Sequence, residues 1–295
     1  MPDALNRGSP PEKRAVRRAH ERAARTYDAH AVLHREVATR LLEHLDPIRI
    51  DPGRILDLGC GTGSAFAELR ERFPRAAIVG VDIARAMLHE ARARAPAWRR
   101  WLGASTPQLV CGDLERLPFA AGSAELAVSN LALQWCDAQA VFAETARALP
   151  AGGLFLFSAF GPDTLKELRA AFRAAGDDGA HVNTFADMHD LGDALVHAGF
   201  ADPVMEMEMV TLEYADLGAL ARDLKAVGAR NALAARPRGL YGRHRWQRVA
   251  AAYEGSRRDG AIPASCEIIY GHAWKTAPRR IADGRQVIDV RRPSR

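Results

Sequence analysis

The chain has 295 residues, of which 48% are hydrophobic and 26% charged, with a formal net charge of +5. That balance suits one large α/β domain, or one domain with an insertion, and excludes a disordered or fibrous chain. No run approaches the roughly 18 apolar residues of a membrane span. Residues 1–25 lack the apolar centre of a secretory signal. Cys60, Cys111, Cys136 and Cys266 form no C-x-x-C pair. They suit a reducing cytoplasm with buried free thiols, not a disulfide framework or a zinc site. The positive balance favours acidic partners such as nucleic acid, anionic lipid or an acidic carrier protein. An Arg-rich, Lys-poor composition is also what a GC-rich genome produces.

Residues 1–11, with Gly8, Ser9, Pro10 and Pro11, read as a loose tail. From Glu12 to Leu45 the apolar spacing Val16, Ala19, Ala23, Tyr27, then Val37, Leu41, Leu45, predicts two helices. Residues 1–48 are thus a tail and lid helices over the start of a core. Asp51-Pro52-Gly53 is a turn. Strands are predicted at 54–58, 76–81, 108–111, 125–129 and 154–158, with helices at 66–72, 85–95 and 141–149. Such alternation predicts a parallel sheet covered on both faces, spanning residues 49–160. After Phe160 the rhythm changes. Helices are expected at 163–175, capped by Asp163 or Thr164, and at 185–198, closed by Gly199. Strands follow at 204–214 and 265–274. Between them, helices at 217–227 and 246–254 flank an irregular stretch. Residues 161–280 therefore complete the sheet and carry a helical cap at about 215–260. The tail from 281 to 295 is expected to be disordered.

The sharpest motif is Asp57-Leu58-Gly59-Cys60-Gly61-Thr62-Gly63, between a strand and a helix. Its glycines permit a tight turn and close ligand approach. The spacing is G-x-G-x-G, not the dinucleotide G-x-G-x-x-G. A carboxylate at Asp57 would repel a pyrophosphate but suit a cationic amino-acid ligand. The loop therefore reads as a site for the methionine part of S-adenosylmethionine. Asp82, in Gly80-Val81-Asp82-Ile83, ends the second strand and is placed to accept from ribose hydroxyls. Ile83 and Met87 are counted with it. Asp113 and Leu114 follow the third strand and suit adenine, and Asn130 ends the fourth. An Asp after a strand is also a common helix cap. Four such residues at successive strand ends favour the ligand.

Asp57 to Gly63, Asp82, Asp113 and Asn130 resemble the ordered motifs of class I methyltransferases. The resemblance implies a doubly wound, Rossmann-like seven-stranded sheet of order 3-2-1-4-5-7-6 with an antiparallel last strand. A closer resemblance, over nearly the whole chain, is to the malonyl-acyl-carrier-protein O-methyltransferase family that begins biotin synthesis (BioC). It rests on residues 23–28 (Ala-Ala-Arg-Thr-Tyr-Asp), 129–136 (Ser-Asn-Leu-Ala-Leu-Gln-Trp-Cys) and 160–165 (Phe-Gly-Pro-Asp-Thr-Leu). Residues 187–193 and 270–274 (Tyr-Gly-His-Ala-Trp) carry it too. It implies methylation of the free carboxylate of a malonyl thioester on an acidic carrier, with no nucleic-acid or membrane partner. That carboxylate is already ionised, so no general base is needed. The chemistry asks for positioning and exclusion of water, with an Arg and a Tyr hydroxyl as carboxylate donors. The family position makes Tyr27 a catalytic lid residue. Packing of an amphipathic helix would also explain it.

Arg222, Lys225, Arg230, Arg236, Arg238, Arg243, Arg245 and Arg248 crowd the cap and are expected to dock the carrier. A solvated arginine face is the alternative. His181, His189 and His197 recur about 80° apart on a helix, so no metal site is expected. Trp98 and Trp101 flank Arg99 and Arg100 and suit packing better than RNA stacking. Two other activities stay open. The chain also resembles an arginine-hydroxylating assembly factor of respiratory complex I, and a small-molecule or quinone methyltransferase would share the fold.

Overall fold

The computed structural model describes residues 10–94, 106–237, 239 and 241–277. The readings made for Trp98 to Trp101, Arg238 and residues 281–295 lie outside these. The strands are β1 Arg54–Leu58, β2 Ala77–Asp82, β3 Gln108–Cys111, β4 Leu126–Asn130, β5 Leu154–Phe160, β6 Phe200–Tyr214 and β7 Ile262–Lys275. They form one sheet of order β3-β2-β1-β4-β5-β7-β6. The first five pair in parallel, and β7 runs antiparallel to both β5 and β6. This is the expected seven-stranded, doubly wound order.

The helices are α1 Lys13–His30, α2 Val32–Glu43, α3 Phe66–Arg72, α4 Arg85–Arg94, α5 Ala138–Ala148, α6 Lys166–Ala174, α7 Met188–His197, α8 Leu217–Ala226 and α9 Arg243–Glu254. They cover both faces, which is why Ile55, Leu56 and Leu58 of β1 are all buried despite alternating sides. One apolar cluster joins Leu56, Leu58, Phe142, Phe155 and Leu195, and the other joins Leu41, Ile55, Leu69, Leu126 and Ile268. A third, built from Leu168, Leu220, Val249, Tyr253 and Ile262, lies under the cap. Among the described residues no helix is long and apolar enough to cross a membrane.

Several expectations need correction. The helix placed at 163–175 starts only at Lys166, because Leu165 adopts a left-handed φ of 55°. Asp163 and Thr164 do not cap it. Thr164 instead donates its hydroxyl to the Glu267 carbonyl (3.1 Å) and accepts the Glu267 N–H (3.0 Å). The Glu267 carboxylate accepts the Asp163 N–H at 2.7 Å. This turn therefore fastens the end of β5 to β7. The next helix begins at Met188, not 185, with Asp187 accepting the Asp190 N–H. β6 starts at Phe200, with an irregularity between Ala201 and Val204 where Asp202 has φ 49°. Pro203 offers no ladder donor there, and the break hid the strand's first residues. Residues 10–12 are pinned rather than loose, since Ala234 N–H reaches Pro10 O and Glu12 N–H reaches Ala232 O. The cysteines are free, but only Cys60 and Cys266 are buried. Cys111 is exposed and Cys136 half-buried.

Candidate active site

A cavity of about 410 Å3 opens at the carboxyl ends of the parallel strands. It lies where the strand order reverses between β1 and β4, the point at which ligands enter such sheets. Gly59, Gly61, Asp82, Ile83, Met87, Asp113, Leu114 and Asn130 line it, together with Tyr27. The strand ends thus bring together most of the residues read from the motifs. Asp57, Cys60 and Gly63 are not on its wall. Asp57 sits in the middle of the sheet, between Gly80 of β2 and Val128 of β4. Cys60 and Phe66 fill the space beside Gly80.

The glycine loop has φ of 79° at Gly59, 53° at Gly61 and 75° at Gly63. L side chains avoid that region. Asp82 holds the loop from below: its carboxylate accepts the Gly61 N–H at 3.0 Å and the Ala84 N–H at 2.8 Å. The cap reading of Asp82 is met at the Ala84 N–H, and the same carboxylate lines the cavity. Burial and the neighbouring Asp82 push Asp57 up to about 7. Burial raises Asp82 as well. Two desolvated carboxyls under a loop of backbone N–H groups make a poor phosphate cradle and a good seat for a cation.

α1 lies across this floor. Lys13 pairs with Asp113 and with Glu115 (2.5 Å). Glu21 accepts the Arg85 and Ala86 N–H groups at the start of α4. Asp28 accepts from Thr62 of the glycine loop at 2.6 Å and pairs with Arg94. Beyond α1 the chain kinks at Ala31, and α2 starts without a side-chain cap. Asn130 donates to the His34 carbonyl (2.9 Å) and accepts from Ser158 (2.7 Å), which fixes α2 against the ends of β4 and β5. His34 then stands edge-on to Tyr27 (5.6 Å between ring centres) and to Phe160 (6.4 Å), with Phe185 beyond. Desolvation lowers His34 to about 4 and raises Tyr27 far above its usual range. Both side chains are therefore neutral near pH 7.

The motifs do not reveal Lys13, Glu21 or His34. Their roles come from how α1 and α2 lie over the sheet, and only Tyr27 carried a family signal. His181, read for its spacing, is tied to Asp177 at 2.8 Å and stacked on Phe172.

The methyltransferase domain family model matches residues 56–157. The fold is similar to the YcgJ protein of Bacillus subtilis, with a TM-score of 0.57 at 14% identity over 82% of this chain and 99% of that one. A second solved structure, from Bacillus halodurans, gives 0.56 at 16% identity over 81% and 99%. Sheet order, glycine loop and strand-end carboxylates define a class I methyltransferase. S-adenosylmethionine is the donor of that class, and the electronegative loop fits its cationic methionine end. The chain is 50% identical to the malonyl-acyl-carrier-protein O-methyltransferase of Gallionella capsiferriformans over 94% of its length and 96% of the relative. It is 53% identical to that of Nitrosospira multiformis, over 91% of each. The chain belongs to the malonyl-acyl-carrier-protein O-methyltransferase family.

Proposed function

We propose that this enzyme methylates the free carboxylate of malonyl-acyl carrier protein, the step that opens biotin synthesis. The carrying observation is 50% identity to a relative of that name over 94% of the chain. When bound, S-adenosylmethionine supplies the methyl group and a sulfonium leaving group. The protein's part is to seat the donor, aim the acceptor and keep water out. Gly59, Gly61, Asp82, Ile83, Met87, Asp113, Leu114 and Asn130 line the donor's place. Asp57, Cys60 and Gly63 support it from the strand and turn beneath. Lys13 must share Asp113 with any adenine amine.

Tyr27 closes the cavity from α1, and its hydroxyl has no hydrogen-bond partner among the described residues. We assign it a donor role toward the acceptor. Tyr27→Phe should lower kcat/KM about tenfold, the worth of one hydrogen bond to a charged group. Unchanged rate and affinity would remove that role. Carrier docking falls to the cap. There Arg222, Lys225, Arg230, Arg243 and Arg248 are exposed and have no anionic partner among the described residues, whereas Arg236 pairs with Glu12 and Arg245 with Asp177. The four free cysteines suit a reducing cytoplasm, where we place the enzyme.

The test is mass spectrometry of malonyl-carrier protein incubated with enzyme and S-adenosylmethionine, with Asp82→Ala as control. One added methyl on the malonyl group, lost in the control, is expected. Cofactor binding without methylation would overturn the acceptor, and a hydroxyl-sized gain on a protein arginine would favour the assembly-factor reading.

A further inference from the structure

The acceptor is an anion, yet most of the basic side chains that line the cavity already hold a hydrogen-bond or ionic partner. Lys13 is held by Asp113 and Glu115. His30 bonds Asp223, and His181 bonds Asp177. His20 uses Nδ1 on the Val16 carbonyl. Arg230 also lines the cavity, but it is exposed. What faces the acceptor end, beside Phe160 at the close of β5, is the pair Tyr27 and His34. Neither the Tyr27 hydroxyl nor a His34 ring nitrogen has a hydrogen-bond partner among the described residues. Both polar groups line the cavity, where the His34 ring stands against Phe160, which in turn meets Phe185. The uncapped first turn of α2, which contains His34, adds its positive end to the same wall.

We propose that His34 is the second carboxylate donor, so that Tyr27 and His34 together grip the malonyl anion. This rests on the malonyl reading above. The charge balance of the reaction explains the choice. A carboxylate oxygen forms a bond to the methyl carbon as the carbon–sulfur bond breaks and its electron pair passes to sulfur. Anion and sulfonium thereby cancel, leaving a neutral ester and a neutral thioether. A buried guanidinium at the acceptor would be stranded without a partner in that product state. Neutral donors leave no such charge behind, and they withdraw less electron density from the attacking oxygen. Asn130 is a positioning residue here, since it fixes the His34 backbone and leaves the ring to the cavity.

His34→Phe tests the assignment, because it keeps an aromatic ring against Tyr27 and Phe160 and removes only the nitrogens. Three quantities are measured: kcat/KM for malonyl-carrier protein, inhibition by acetyl-carrier protein, and S-adenosylmethionine affinity by calorimetry. Acetyl-carrier protein presents the same arm without the carboxylate. The expected result is a 10- to 100-fold fall in the first, with the other two unchanged. His34→Asn, which restores an N–H donor, should recover part of the loss. A His34→Phe enzyme with wild-type kcat/KM, or one that loses acetyl-carrier affinity equally, would overturn the inference and leave the malonyl reading standing. Wild-type enzyme inactive on malonyl-carrier protein would remove both.

Discussion

Alanine at Gly61 and alanine at Gly80 add the same methyl group to neighbouring points of the cofactor floor, with opposite expected outcomes. At Gly80 a Cβ would stand 2.6 Å from the Phe66 ring and 2.8 Å from the Cys60 sulfur. Both neighbours are buried, so the core must shift, at about 1–3 kcal/mol or more. At Gly61 a Cβ would meet no protein atom within 4 Å. The cost there is the left-handed φ of 53°, on the order of 1–2 kcal/mol. In a chain this size that lowers Tm by only a few degrees. The new methyl would project where the donor's methionine end must approach. Gly61→Ala should therefore fold and lose at least tenfold in S-adenosylmethionine affinity, while Gly80→Ala loses stability first. Thermal unfolding with and without cofactor, together with calorimetric titration, separates the two. A Gly61→Ala protein that binds the donor as tightly as wild type would refute the placement of the ligand against this loop.

Asp57→Asn should stabilise the protein at pH 8 and weaken donor binding. The folded carboxyl titrates at about 7 against an ordinary 3.8, so the fold prefers its protonated form. This group's stabilising contribution is full below about pH 4 and is lost as pH rises to 7. The shift corresponds to about 4 kcal/mol, and Tm against pH for both proteins measures it. For the same reason affinity for the cationic donor should fall as pH drops through 7, and pH-independent binding would exclude Asp57 from the donor's field. Thr164→Val strips the buried Glu267 N–H of its acceptor and should cost about 1–3 kcal/mol, read by denaturant unfolding. Arg222→Glu with Lys225→Glu should raise KM for the carrier at low salt but not at high salt. A salt-independent KM would count against docking on the cap.

The central strands were legible because both faces of a parallel sheet are covered, so 54–58 and 154–158 read as short apolar runs without alternation. The sheet-end wall of the cavity was legible because one device, a carboxylate or amide at a strand end, recurs at Asp82, Asp113 and Asn130. Elsewhere the local signal pointed the wrong way. Asp163 and Thr164 look like helix caps, yet their polar groups serve Glu267, a partner about a hundred residues away that no local pattern names. The wall proposed for the acceptor was hidden for a related reason. His34 belongs to no motif and reaches the cavity because the chain kinks at Ala31 and Asn130 takes hold of its carbonyl.

β6 and β7 are much longer than the strand they complete, and their far ends pair directly, Tyr214 with Ile262. The cap therefore leaves the sheet and returns to it at a single doorway. A change in its length or sequence need not disturb the register of any strand. Its own apolar cluster, shared with α6, supplies much of its support. The excursion can accordingly change in length or sequence without moving the strand ends Asp82, Asp113 and Asn130 that line the cavity.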